Sequence, residues 1–142
     1  MAEEALHFHY DVDGENFTSA GEASVQIKRK LRQLGIDAET IRRVSIAMYE
    51  GEINMVIHAG GGEADVYVTE DEITLILTDH GPGIPDVRLA MQEGYSTAPE
   101  NVRSLGFGAG MGLPNMKRYT NEMNIETSLG KGTVVTMKVS LR

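Results

Sequence analysis

Ile73-Thr74-Leu75-Ile76-Leu77-Thr78-Asp79-His80-Gly81-Pro82-Gly83-Ile84-Pro85 is the stretch from which the rest of the chain is read. Its first six residues form an apolar run of the kind that buries as a strand. Glu70-Asp71-Glu72 precedes it, and before that Ala64 to Thr69 alternates Val66 and Val68 with polar residues. The two runs predict an antiparallel hairpin. Its second strand leads straight into Asp79 and a Gly-Pro-Gly step. A carboxylate there can serve a ligand, with Gly81 and Gly83 letting the backbone approach closely. A plain strand-ending turn has the same signature.

Upstream, Ala38 to Ala59 reads as a long helix. Asp37 is its N-cap, Glu39 sits in its first turn, and Gly60-Gly61-Gly62 stops it. At about 100° per residue, Ile41, Val44, Met48 and Met55 share one stripe. Glu50 and Asn54 lie only ~40° apart on another face, among Ile46, Ile53 and Ile57. Glu52 falls ~160° from Glu50 and does not join the pair. A carboxylate and an amide in an apolar seam are costly unless satisfied. They mark either a site or a helix edge where polar and apolar residues meet. An earlier helix, Ser19 to Leu34, has Ala23, Ile27, Leu31 and Leu34 as its core stripe and ends at Gly35. Leu6 to Val12 reads as a strand closed by Asp13-Gly14. His7 and His9 share one face of it. With no third metal ligand apparent, exposed strand positions are the simpler reading.

Downstream, Asp86 to Glu93 reads as a short helix, and Gly94 to Leu105 as a long polar loop of the lid or disordered type. Gly106-Phe107-Gly108-Ala109-Gly110-Met111-Gly112-Leu113 follows. A helix is expected from Leu113 to Glu122, with Pro114 tolerated in its first turn. Met123 to Ser128 and Thr133 to Leu141 then close a hairpin around Leu129-Gly130-Lys131-Gly132. No repeat or linker interrupts the 142 residues, which read as a single domain, 1–142.

Composition narrows the function. Hydrophobic content of 41% and charged content of 24% are those of a soluble globular protein. No apolar run approaches the roughly 20 residues of a membrane span. Met1 to Ala5 lacks the basic start of a signal peptide, and the absence of cysteine excludes disulfides and thiolate metal sites. A cytoplasmic setting with no membrane partner is expected. The net charge of −8 argues against direct nucleic-acid binding. Lys28-Arg29-Lys30, Arg32 and Arg42-Arg43 read as solvated helix faces or as a patch for an acidic partner. The sixteen glycines, about 11% of the chain against a usual ~7%, concentrate between 81 and 112, which points to a site.

A nucleoside triphosphate would use these features together. Asp79 could accept the exocyclic amine of the base. The glycines at 106, 108, 110 and 112 precede a helix and offer free N–H groups to phosphate. No Lys-Ser/Thr follows, so this is not a P-loop, and no βαβ unit surrounds it, which argues against a Rossmann site. The Asn54 oxygen could be one ligand of magnesium. Glu50, one turn earlier, could polarise an attacking hydroxyl or water, its apolar neighbours raising its pKa toward neutrality.

Glu50-x-x-x-Asn54, Asp79-x-Gly81-x-Gly83, the 106–112 glycine run and Gly132-Thr133, in this order, resemble the N, G1, G2 and late Gly-Thr motifs of the GHKL ATPase superfamily. Val56-Ile57-His58, Gly108-Ala109-Gly110-Met111-Gly112-Leu113 and Met116-Lys117-Arg118 are most similar to its small anti-sigma factor and switch-protein serine kinases. The resemblance implies a Bergerat fold: an α/β (α+β) two-layer sandwich with a mixed, mostly antiparallel sheet and helices on one face. It implies ATP and Mg²⁺ as cofactors, with Glu50 as catalytic base and Asn54 on the metal. Asp79 would hold the adenine amine, assisted by Thr133 through water, and Gly81, Gly83 and Ile84 would line the adenine pocket. Gly108, Gly110, Met111, Gly112 and Leu113 would contact the nucleotide behind an ATP lid at about 94–110. The implied substrate is a serine or threonine on a small antagonist protein. A sigma factor is a further partner, and relatives often form homodimers.

Gly51-Glu52-Ile53 departs from the small and apolar residues usual between the Glu and the Asn. Gly51 weakens the helix by ~1 kcal/mol against Ala, and Glu52 adds a charge on the face away from Glu50. Three activities compete. The first is phosphorylation of an antagonist. The second is an ATP-set binding module that sequesters a sigma factor or activates a partner without phosphotransfer. The third is a histidine-kinase catalytic domain, disfavoured because His7 and His9 fall on a strand rather than on a helical phosphoacceptor hairpin.

Overall fold

The hairpin in the middle of the sequence is the middle of the sheet. In the computed structural model, which describes residues 5–13, 21–84, 87, 91 and 112–141, β2 (Gly61–Val68) and β3 (Glu72–Thr78) pair antiparallel, with Val66 opposite Leu75. Strand β1 (Leu6–Asp13) adds to the outer edge of β2, pairing Phe8 with Val66. On the other side β5 (Gly132–Ser140) pairs with β3, and β4 (Glu122–Ser128) pairs with β5 at the far edge. The order is β1-β2-β3-β5-β4. Every pairing among the described strands is antiparallel, so the antiparallel character expected of most of the sheet extends across these five strands.

Three helices complete the described architecture: α1 (Glu22–Gln33), α2 (Ala38–Ala59) and α3 (Gly112–Arg118). The period of two decides which sheet face they cover. Ala64, Val66 and Val68 of β2, Ile73, Leu75 and Leu77 of β3, and Val135, Met137 and Val139 of β5 are buried. They meet Ile27 and Leu31 of α1 and Val44, Met48 and Met55 of α2 in one core. Each Val, Leu, Ile or Met among them contributes about 1.5–3 kcal/mol on full burial. Their alternates on the other face, including His7, His9, Asp65, Tyr67 and Thr136, are exposed or half-buried.

The long helix has the predicted bounds. The Asp37 side chain accepts from the Thr40 backbone N–H at 3.0 Å and from its hydroxyl at 2.7 Å, and Gly60 ends the helix in the left-handed region at φ 72°. From Gly51 to Val56 every position but Asn54 is buried, because this part of α2 is enclosed by the sheet, α1 and α3. Gly51 is what lets it sit so low: a Cβ there would collide with Leu77 Cδ1 on β3.

Four expectations change. The first helix starts at Glu22, and Leu34, its C-cap residue, is 42% exposed and so outside the core stripe. Gly61 and Gly62 open β2 instead of merely stopping the helix. Helix α3 ends at Arg118, not Glu122: Asn121 N–H donates to the Lys138 carbonyl at 2.8 Å, which draws the chain onto β5. Glu52 lies on the face away from Glu50 as expected, but it is not a surface charge: its side chain is buried at 2% exposure beneath α1. The helix expected from Asp86 to Glu93 and the loop from 94 to 105 lie largely outside the described residues.

Candidate functional site

Helix α2 connects two groups of polar residues. Its last turn, at Ala59, packs on Gly81 just beyond β3, where a Cβ would come within 2.5 Å of Ala59 Cβ. About one and a half turns back for Asn54 and two and a half for Glu50, both side chains face α3. From Glu50 to Ala59 the helix rises about 14 Å, a span that suits an extended nucleotide.

At the β3 end, among the described residues, the Asp79 carboxylate is held by backbone N–H groups. Its Oδ1 accepts from the Gly81 N–H at 3.0 Å and from the Thr133 N–H at 3.1 Å, while its own N–H donates to the Thr133 carbonyl at 2.9 Å. One oxygen is thereby held in place, and Oδ2 makes neither of these bonds and is left to accept from a ligand. Gly132, on which this approach depends, has φ 124°, and a Cβ there would collide with the Asp79 carbonyl. Thr133 is 6% exposed, and its hydroxyl lies 2.9 Å from that of Thr127. The Thr127 Oγ1 also accepts from the Ile84 N–H at 2.9 Å. Gly83, at φ 85°, runs so close to β4 that a Cβ would come within 2.6 Å of the Ser128 carbonyl oxygen. Asp79, Gly81, Gly83, Ile84 and Thr133 therefore form one connected wall. Burial lowers the pKa of nearby His58, and the Asp79 charge acts in the opposite direction.

At the other end, Glu50 is half-buried, and burial pushes its pKa above the ordinary carboxylate value; a hydrogen bond from Asn115 Nδ2 to Oε1, at 3.5 Å, pulls it back in part. Asn54 Nδ2 donates to the Met116 thioether at 3.8 Å. A thioether only accepts, so this contact turns the amide nitrogen toward α3 and leaves the Asn54 oxygen for a ligand. Gly112 packs directly on that amide, where a Cβ would come within 2.8 Å of Nδ2 and 2.9 Å of Oδ1. Leu113 points into the core at 9% exposure. Gly108, Gly110 and Met111 lie outside the described residues.

The roles of three residues of this region escaped the sequence reading. Thr127 sits directly opposite Thr133 in the β4–β5 register, which the predicted hairpin could have revealed. Asn115 reaches Glu50 only because α3 packs across α2. Glu52 accepts from the backbone N–H groups of Gly21 at 3.1 Å, Ala23 at 3.2 Å and Ser24 at 2.7 Å. It caps α1 from another helix, where the N-cap residue, Gly21, has no side chain to do so. Burial raises the Glu52 pKa, and the amide hydrogen bonds oppose that rise.

Residues 39–142 match the family model of the histidine kinase-, DNA gyrase B- and HSP90-like ATPases. The chain is 31% identical over 118 residues to the serine/threonine-protein kinase RsbT of Bacillus subtilis (strain 168), covering 80% of this chain and 83% of that protein. It is 33% identical over 126 residues to an anti-sigma F factor of Clostridium novyi (strain NT), covering 84% and 85%. Among solved structures, the RsbU and RsbW domains of Rv1364c from Mycobacterium tuberculosis superpose with a TM-score of 0.65 at 17% identity. That likeness takes in 94% of this chain and 32% of the solved one, and it concerns the fold.

Proposed function

Because this chain belongs to the histidine kinase-, DNA gyrase B- and HSP90-like ATPase family, we propose that it is an ATP-dependent serine/threonine kinase acting on an antagonist protein in a partner-switching circuit. The reading is carried by the arrangement along α2. A half-buried carboxylate and an amide with a free oxygen stand at one end, and a backbone-anchored carboxylate stands at the other. Asp79 Oδ2 accepts the adenine amine, with Thr133 beside it, and Gly81, Gly83 and Ile84 bound the base. Gly112 keeps backbone next to the phosphates, joined by Gly108 and Gly110 from a lid placed at about 94–110 on sequence grounds, with Met111 and Leu113 following it.

Glu50 takes the proton of the substrate hydroxyl as that oxygen bonds to the γ-phosphorus. The bond from phosphorus to the bridging oxygen breaks, and ADP leaves. Burial suits Glu50 to this task, since it makes the carboxylate a better base near neutral pH. The Asn54 oxygen fits a hard cation: it is an uncharged oxygen donor one helical turn from a carboxylate, with its nitrogen already engaged. Asn54 would hold Mg²⁺, which when bound neutralises charge on the phosphate oxygens.

Purified protein with Mg-ATP and a candidate antagonist should yield phosphoserine or phosphothreonine. Glu50→Gln should abolish transfer and keep ATP binding. Transfer at full rate by that variant would remove Glu50 from its assigned role. The likeness to an anti-sigma F factor supports a second partner, a sigma factor, held in a nucleotide-dependent complex. Such a complex without phosphotransfer to any antagonist would favour an ATP-set binding module. We place both activities in the cytoplasm and in a homodimer.

A further inference from the structure

The pair His7 and His9 has no part in the nucleotide site. The missing third ligand is supplied from the neighbouring strand. Asp65 lies directly opposite His9 in the β1–β2 register. Its Oδ1 is 2.7 Å from His7 Nε2 and 2.8 Å from His9 Nδ1, so two imidazoles converge on one carboxylate oxygen. The other nitrogen of His9 is 3.2 Å from Asp11 Oδ1, and ligand atoms of His9, Asp11 and Glu63 all lie within 4.8 Å of one another. The His7 ring is stacked on Tyr67, with centroids 4.4 Å apart and planes 3° from parallel. That stacking fixes the ring with Nε2 toward Asp65.

We propose that His7, His9 and Asp65, with Asp11 and Glu63 at the margin, form a site for a divalent transition-metal ion of the zinc type on the open face of the sheet. The donor set decides the class of ion. Two imidazoles with a carboxylate suit Zn²⁺, Ni²⁺ or Cu²⁺, whereas Mg²⁺ and Ca²⁺ take oxygen ligands. Strand geometry decides the placement. Residues two apart on β1 present both imidazoles on one face, and β2 lies about 4.8 Å away with the carboxylate. Metal–ligand bonds of ~2.0–2.1 Å place neighbouring tetrahedral donors roughly 3.3 Å apart. The nitrogen–oxygen contacts need to open by about half an ångström and the two imidazole nitrogens to take the same spacing from each other, an adjustment made by side-chain rotation of the half-exposed imidazoles. Three carboxylates beside the imidazoles give the site the negative charge a cation requires. The bound ion would tie the edge strand β1 to β2. It would leave coordination positions open to solvent, available to water or to a side chain of a partner.

The test is titration of the nucleotide-free full chain with Zn²⁺ by calorimetry, repeated with Co²⁺ for its d–d absorption. Omitting ATP avoids chelation. The expected result is one ion per chain, a visible band indicating nitrogen ligation, and a rise in the thermal midpoint on binding. His9→Ala and Asp65→Asn should each weaken the affinity about 10- to 100-fold, with unchanged far-ultraviolet circular dichroism. His80→Gln should leave it unchanged. Affinity should fall on acidification, since protons compete for the imidazoles. No saturable binding of Zn²⁺, or binding that survives His7→Ala/His9→Ala but is lost in His80→Gln, overturns the proposal.

Discussion

Glu52→Ala tests the main correction to the sequence reading. In the wild-type chain one buried carboxylate serves three backbone donors at the start of α1. The Ser24 bond, at 2.7 Å, is short and charge-assisted, a type that contributes about 1.5–3 kcal/mol. The two longer bonds contribute about 1 kcal/mol each. Against this gross figure of about 4 kcal/mol stands the desolvation of the carboxylate, which the substitution relieves in part. Water reaching the vacated space would also serve some of the freed N–H groups. The net expectation is a loss of about 3 kcal/mol, well above the ~1 kcal/mol of an ordinary exposed N-cap. In urea, at a slope of roughly 1.5 kcal/mol per molar, the midpoint should fall by about 2 M with an unchanged slope. Glu52→Gln retains one acceptor oxygen and should lose roughly half as much. If Glu52→Ala unfolds within 0.5 M of the wild type, or if Glu52→Gln is the worse of the two, the carboxylate does not hold α1 in this way.

Four further outcomes are expected. Activity should rise with pH along a limb set by ionisation of Glu50, and Asn115→Leu should move that limb to higher pH, because the amide pulls the Glu50 pKa down; an unmoved limb in the pH–kcat profile separates Asn115 from the base. A carboxyl whose folded pKa exceeds its unfolded value stabilises the fold fully below the unfolded pKa, and that contribution is lost as pH rises through the folded one. Glu50→Gln should therefore raise the thermal midpoint at neutral pH while abolishing transfer, and a lowered midpoint would contradict the burial argument. Asp79→Asn, its amide oxygen kept on the two backbone donors, turns an NH₂ toward the adenine amine. ATP affinity should fall about 10- to 100-fold, the value of a hydrogen bond to a charged acceptor, and calorimetry showing undiminished affinity would exclude Asp79 from base recognition. Gly112→Ala forces a methyl group onto the Asn54 amide. It should lower kcat/KM on the order of 10- to 100-fold with little change in stability; a normal rate would show that the position of Asn54 is unimportant.

The parts of the molecule that sequence revealed are those decided locally. Asp37 and Gly60 bracket α2 because a cap and a left-handed glycine act within a few residues. The β2–β3 hairpin follows from alternation and a charged turn. Asp79 and Thr133 were found as motif residues, yet the bonds that fix them run between β3 and β5 and depend on a register no local pattern contains. The role of Glu52 stayed hidden for a related reason. A helical wheel separates it from Glu50 but cannot say that another helix begins there with unserved N–H groups. Gly51, which lowers helix propensity, is explained by Leu77 on a strand far along the chain. Leu34 followed the apolar stripe and still lies at the surface, because α1 has already ended when the chain reaches it.

Glu50, Gly51 and Glu52 are consecutive, and each faces a different neighbour: Glu50 the pocket under α3, Gly51 the sheet, Glu52 the start of α1. At about 100° per residue they divide the circumference of the helix among three fixed abutments. Such a helix cannot roll about its axis. A carboxylate carried roughly 6 Å from the axis would swing about 1 Å for each ten degrees of roll, and an error of that size can cost a hundredfold in rate. The two residues that made this segment look atypical thus act as a rotational lock on the angle at which Glu50 is presented.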